Sequence, residues 1–223
     1  MLTWSRDIHI PEPGGTAYVA GRGIFSNGPA VWGMVAPTPP QGSALPGLLG
    51  KEWEVDAPGI VMLQAVLTQL DSTTQTLYPM RIQEVQTKSG STTAPAPGNL
   101  AYWGSTADEE AYIVTPDAPA ANSPLVAGVY LYTPAKGDYC LIATGGEVIA
   151  NCLAAVTNAS IVGAAVFAAS VGGANTAGKV DGLADATAIT VALVARVIGK
   201  FMAAAANGAA VKINLDLRGL RSI

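Results

Sequence analysis

The side chains that could perform acid–base or nucleophilic chemistry are few in this chain and lie far apart. His9 is the one histidine, and it stands two residues before Pro11 in a segment rich in glycine and proline. A Ser–His or Cys–His pair needs a base held against the nucleophile by a rigid scaffold. His9 is therefore predicted to be a packing or surface residue, and the sequence predicts no catalytic residue and no enzyme.

Metal and phosphate sites are not predicted either. Cys140 and Cys152 are the two cysteines, too few for a zinc site beside one histidine, and are predicted to be buried free thiols of a protein made in a reducing cytoplasm. The acidic run at 108–110 lacks the spacing of a calcium loop, which favours a solvated turn. The glycine-rich stretches at 144–146 and 171–178 match no phosphate-binding motif and are predicted to form β-turns. No metal and no cofactor is expected.

Four aromatic residues offer one further chemical possibility. Tyr102, Trp103, Tyr130 and Tyr132 could together form a platform on which a sugar ring stacks. Aromatic side chains in strands more often belong to a core or an interface. A carbohydrate-binding module therefore stands as an alternative function.

The charge content indicates what kind of partner the protein has. Only 13% of the residues are charged, against about 25% in an average soluble protein. The twelve basic residues are scattered and the net charge is −4, so nucleic acid is not an expected partner. The best candidate for a membrane span, 183–206, is interrupted by Asp185, Arg196 and Lys200, so no membrane segment is predicted. A surface this poor in charge is expected to contact other protein surfaces.

Residues 1–57 are predicted to form an extended arm. Glycine and proline recur throughout the first fifty residues and prevent any long regular element. Isolated apolar residues within the arm are expected to anchor it to another protein surface; these are Trp4, Ile8, Ile10, Tyr18, Ile24, Phe25 and Trp32. A loop region folded back on its own domain is the alternative.

Residues 58–97 are predicted to be a β-rich connecting region that ends in a long loop. Residues 60–70 have apolar positions at both helical and strand spacing, so helix and strand both remain open there. Tyr78, Met80, Ile82 and Val85 favour a strand. The stretch KSGSTTAPAPGN at 88–99 has no periodicity and predicts a break.

Residues 98–223 are predicted to form a sandwich or barrel of short strands. Gly137-Asp138 and Gly145-Gly146 are expected at tight turns, and Asn207-Gly208 at a hairpin. In KINLDL, at 212–217, apolar and polar residues alternate, which predicts a strand with one buried face. For the run VARVIGKFMAAAA at 194–206, helix remains a second possibility.

Four segments of the sequence, taken in chain order, resemble segments of the decoration, or cement, proteins of tailed-phage heads. They are GNLAYW, AYIVTP, PLVAGVYLYTPAKGDYCLIATGGEVIANCLAAV and, last, ARVIGKFMAAAANGAAVKINLDL. In that family VAGV introduces a strand, GDY opens the next hairpin, and an IG segment precedes a closing strand of alternating charged and apolar residues. The resemblance covers a little over half of the chain, from about residue 98 to residue 218.

The resemblance implies a fold, a location and partners. The fold is all-β, with a small barrel or β-tulip as the C-terminal domain behind the extended arm. The protein would form homotrimers on the outer capsid surface of the virion, bridge major capsid protein subunits and stabilise the shell. The anchors named above would then contact the capsid or an adjacent protomer. Another phage virion protein, of the tail or of head completion, is the alternative.

Overall fold

The computed structural model describes eight stretches of the chain, namely residues 49–50, 52–70, 76–117, 126–153, 162–168, 178–182, 197–204 and 206–217. Residues 1–48, which hold most of the predicted arm and all seven of its anchors, lie outside the described residues. The elements in chain order are β1 (Glu52–Val55), α1 (Ala57–Leu70), β2 (Met80–Thr87), β3 (Leu100–Trp103), α2 (Thr106–Glu110), β4 (Ile113–Thr115), β5 (Val126–Tyr130), β6 (Tyr139–Asn151), β7 (Ala165–Ala168), β8 (Val180–Gly182), β9 (Val197–Phe201) and β10 (Ala210–Asp216).

Five of these strands close into a barrel. The ring runs β2–β4–β3–β5–β6 and returns to β2, because β6 pairs with β2 as well as with β5. Strands β2 and β4 are parallel, and the other four neighbouring pairs are antiparallel. A ring with an odd number of strands cannot alternate direction throughout, so one parallel pair is required. The predicted all-β class with a small barrel is confirmed.

The remaining strands extend the same sheet beyond the barrel. β6 is 13 residues long; its first part belongs to the barrel, and residues 145–151 pair with β10. Beyond β10 follow β9, β7 and β8, while β1 pairs with β2 on the other side. Burial in β10 alternates as the sequence predicted, with Val211, Ile213 and Leu215 inside and Asn214 and Asp216 exposed.

Residues 60–70, left open between helix and strand, belong to helix α1. The carboxylate of Asp56 accepts a hydrogen bond from the N–H of Gly59 at 3.0 Å, which caps the first turn. Pro58 lies in that turn, where its missing N–H breaks no helical hydrogen bond. Leu63 and Leu67, one turn apart on the same face, are fully buried. The described residues therefore form an all-β fold with two helices, α1 and α2.

The predicted turn at Gly145-Gly146 is wrong, since both glycines lie inside β6. Arg81 pairs with Gly145 and Ile82 with Ala143, so Thr144 is the extra residue of a β-bulge. Gly146 has φ +92°, and an added Cβ would lie 2.8 Å from the Cα of Met80. The strand therefore bends at this point and does not end. The turns predicted at Gly137 and Gly208 are confirmed, each with a positive φ.

The barrel includes residues that come before residue 98 in the sequence. Strand β2 is one of its five members, and β1, inside the stretch assigned to the arm, pairs with β2 over four residue positions. The proposed division at residues 57 and 97 stays a prediction.

Candidate interaction surface

A groove crosses the sheet where β6 leaves the barrel. Its volume is about 590 Å³, and residues of five strands line it in the spatial order β1, β2, β6, β10 and β9. The lining residues are Glu54, Val55, Pro79, Met80, Arg81, Gly146, Val197, Gly199, Lys200, Asn214, Leu215 and Asp216. Hereafter this is called the β1–β9 groove.

One row of paired residues runs across the groove. Glu54 pairs with Arg81, Arg81 with Gly145, and Gly145 with Asp216. Cross-strand partners have their side chains on the same face of a sheet. The groove therefore presents Glu54, Arg81 and Asp216 on one face. Lys200 joins them there, because it pairs with Asn214, two residues before Asp216 on the same strand.

The side chain of Arg81 lies over Gly145. A Cβ on Gly145 would overlap the guanidinium, so the missing side chain of the glycine provides the space that Arg81 occupies. One guanidinium nitrogen donates a hydrogen bond to the carbonyl oxygen of Thr144 at 3.3 Å. Although Glu54 is the cross-strand partner of Arg81, no ion pair joins the two among the described residues. The guanidinium is held on the floor of the groove.

A second cluster of polar contacts borders the groove on β6 and β10. Lys212 forms an ion pair with Glu147 at 2.6 Å, and its ammonium group lies 4.2 Å from the centre of the Tyr78 ring. Both charges are partly exposed, so the pair contributes at most about 1 kcal/mol to stability. Its role is to fix these side chains beside the groove.

The residues singled out from the sequence for sugar stacking are core residues. Tyr102, Trp103, Tyr130 and Tyr132 are between 0% and 5% exposed. Such rings present no face to a sugar, which removes the observation that motivated a carbohydrate-binding role. None of the residues that line the β1–β9 groove is aromatic.

The other candidate residues have structural roles. Ser105 caps the short helix α2, which carries the acidic run, and Asp108 of that run pairs with Lys88 at 2.9 Å. Asp181 lies in β8, and its carboxylate accepts a hydrogen bond from the N–H of Gly182 at 2.8 Å. No group of three or more potential metal ligands occurs within the described stretches.

The two cysteines are free and fully buried, as the sequence predicted. Burial raises the pKa of the Cys140 thiol well above its usual range, and the nearby Glu84 and Asp138 add to this effect. Burial, with a contribution from Asp181, raises the pKa of Cys152 to about 11. Both groups are therefore neutral thiols at physiological pH, unsuited to nucleophilic or metal-binding roles.

Comparisons with known proteins include a distant structural similarity. No family model matches the chain, and no curated protein matches it. Among solved structures, the chain is similar to the N base of head fiber gp8.5 in bacteriophage phi29, at 13% identity. The match covers 60% of this chain and 92% of that one, with a TM-score of 0.39. No helix among the described residues is long and apolar enough to cross a membrane.

Proposed function

We propose that this chain is a structural protein of a phage head, and specifically that it decorates the outer surface of the capsid and stabilises it. In this proposal it bridges neighbouring subunits of the major capsid protein, acts as a homotrimer, and performs no reaction. Its partners are proteins and not nucleic acid or membrane. It is made in the host bacterial cytoplasm and ends on the virion.

The observation that carries the proposal is the arrangement of the segments that resemble phage decoration proteins. These segments form β3, β4, β5, β6, β9 and β10. In the sheet the same six strands are consecutive, in the order β4–β3–β5–β6–β10–β9. A resemblance that is scattered over more than a hundred residues of sequence thus corresponds to one continuous sheet. VAGV begins β5, and GDY leads through a turn into β6, as the resemblance requires.

The composition supports contact with protein over a broad area. Only 13% of the residues are charged, and the described surface exposes Val61, Val162 and Met202. Val162 and Met202 lie close to each other, since the N–H of Gly163 donates to the carbonyl of Phe201 at 2.8 Å. Few charges oppose association at such a surface. On a capsid lattice, many weak contacts of this kind add up to lasting attachment.

The predicted arm supplies the second half of the proposal. Residues such as Trp4, Phe25 and Trp32 are surrounded in the sequence by glycine and proline, which disfavour long regular elements. We propose that these residues anchor the arm to the capsid or to an adjacent protomer. An extended segment that joins a neighbouring sheet gains main-chain hydrogen bonds, while its side chains determine the register.

The decisive experiment is a cryo-EM map of particles that contain this chain. Density for the barrel on the outside of the head, at the junctions of capsid subunits, is the expected result. Density on the tail or at the head–tail junction would replace the proposal with the alternative of another virion protein. Native mass spectrometry of particle-released and free protein tests the trimer.

Deleting residues 1–35 tests the arm separately from the barrel. We expect the truncated protein to keep the thermal unfolding midpoint of the full chain and to lose occupancy on particles that lack the native protein. Unchanged occupancy would show that the barrel alone binds the shell.

A further inference from the structure

We propose that the β1–β9 groove binds an extended segment of a neighbouring virion protein, through one aspartate or glutamate of that segment paired with Arg81. That the partner is another virion protein rests on the proposed function. The chemistry of the site rests on the groove itself.

Arg81 has donors to offer within the groove. A guanidinium has several N–H groups, and the described residues use one contact, the 3.3 Å hydrogen bond to the carbonyl of Thr144. The fork of a guanidinium matches the two oxygens of a carboxylate, and such pairs are shorter and stronger than neutral hydrogen bonds. The space over Gly145 admits the guanidinium at the groove, where a bound segment would cover it.

The remaining charges restrict which segments fit. Lys200 is exposed at the β9 end of the groove and provides a second cation. Glu54 lies directly beside Arg81 as its cross-strand partner. Because like charges repel, this carboxylate disfavours a run of several carboxylates in the bound segment. The groove therefore selects a single carboxylate flanked by neutral or basic residues.

The dimensions agree with an extended peptide. Five neighbouring strands at spacings of about 4.8 Å give a groove about 19 Å long. Six residues of extended chain cover about 20 Å. The volume of about 590 Å³ lies within the usual size of small binding sites.

The test uses the full chain in isolation and two peptides. Both are six residues long, acetylated and amidated, built of valine and threonine; one carries a central glutamate and the other a glutamine. Titration followed by two-dimensional NMR measures affinity and location. We expect the glutamate peptide to bind about tenfold more tightly than the glutamine peptide. Shifted resonances should come from β2, β6 and β10.

Variants assign the effect to Arg81. Arg81→Gln should remove the preference for glutamate, while Lys88→Gln, an exposed cation far from the groove lining, should preserve it. Lys200→Gln should reduce the preference by a smaller factor. Equal affinity for the two peptides, a preference that survives in Arg81→Gln, or no binding of either peptide at millimolar concentration would each overturn the proposal. Unchanged spectra outside the groove verify that Arg81→Gln is folded.

The peptide titration and the cryo-EM map together separate the groove proposal from the capsid proposal. Selective binding of the glutamate peptide by a protein that cryo-EM does not find on heads would leave the groove assignment standing and refute the capsid role. If cryo-EM finds the protein on heads but its groove binds the two peptides equally, the capsid role would stand and the groove assignment would be refuted.

Discussion

The ring of Tyr112 lies against Gly50, so that a Cβ on Gly50 would overlap the ring. Both residues have left-handed backbone, at φ +54° and φ +81°. The N–H of Gly50 donates to the carbonyl of Glu84 at 2.9 Å, and the Gln83 amide donates to the carbonyl of Gly50 at 2.7 Å. A tyrosine in this conformation costs about 1 kcal/mol, which the surrounding contacts must offset. The chain is thus fixed to β2 of the barrel just before β1 begins.

Replacing Gly50 with alanine is therefore expected to be costly. The new methyl group meets the Tyr112 ring, and alanine is strained at a φ of +81°. We expect a loss of about 1–3 kcal/mol in the free energy of unfolding, measured by urea denaturation. Gly90→Ala is the matched control, because nothing lies within 4 Å of its Cβ position, and it should change stability by less than about 0.5 kcal/mol. Equal effects of the two changes would refute the contact.

The adjacent glycines of β6 are expected to respond differently to alanine. At Gly146 the new Cβ would meet the Met80 backbone and the Pro79 carbonyl, both 2.8 Å away, and φ is +92°. Backbone cannot move aside easily, so Gly146→Ala should cost about 3 kcal/mol or more. At Gly145 the obstacle is the flexible Arg81 side chain, which can swing away.

Gly145→Ala should therefore be the milder change in thermal denaturation, and it should also displace Arg81 from the groove floor. A Gly145→Ala variant as unstable as Gly146→Ala would show that the space above Gly145 is not filled by a movable side chain.

The sequence predicted those elements whose pattern is local. The alternation in β10 is visible in the sequence because one face of the strand is buried and the other faces solvent. Each residue type therefore indicates on which face its side chain lies. The helix at 57–70 was ambiguous because its apolar residues fit two periods. Its decisive signal is local too: Asp56 caps the first turn and Pro58 follows within that turn, an arrangement typical of a helix start.

Features that depend on distant pairing were not predictable. Gly145-Gly146 is locally typical of a turn, yet β2 and β10 pair with β6 on both sides there and keep the strand continuous. The β1–β9 groove likewise draws Glu54, Arg81 and Lys200 from three separate parts of the chain. No spacing in the sequence brings such residues together; only the sheet order does.

Asp117 is expected to make stability depend on acid pH. Burial alone would raise the pKa of its carboxyl, but hydrogen bonds from Thr92 and Thr93 outweigh burial and lower it. Its oxygens accept from the N–H groups of Thr92 and Thr93 at 2.6 Å and 2.7 Å. Because the folded-state pKa is lowered, this stabilisation is complete above the unfolded-state pKa. It is lost as pH falls through the folded-state value.

Asp117→Asn should therefore be less stable than the wild type at pH 7, by about 1 kcal/mol. The difference should shrink as the pH falls below about 4, in urea denaturation at a series of pH values. Glu110→Gln, an exposed change on α2, is the control and should leave the pH profile unaltered. A difference that stays constant from pH 7 to pH 2 would show that the charge of Asp117 is not what the threonines recognise.

The two cysteines are expected to resist thiol reagents while the barrel is folded. Both side chains are inaccessible, and burial raises both pKa values, that of Cys152 to about 11. At pH 8, about one in a thousand thiols with the pKa of Cys152 is in the thiolate form, which is the reactive one. Reaction with Ellman's reagent should therefore be negligible in native buffer and should release two equivalents per chain in guanidinium chloride. Ser89→Cys, at an exposed position, is the positive control and should react at once in the native protein. Rapid native reaction of the wild type would mean that the strands around Cys140 or Cys152 open readily, which a closed barrel and its paired extension should prevent.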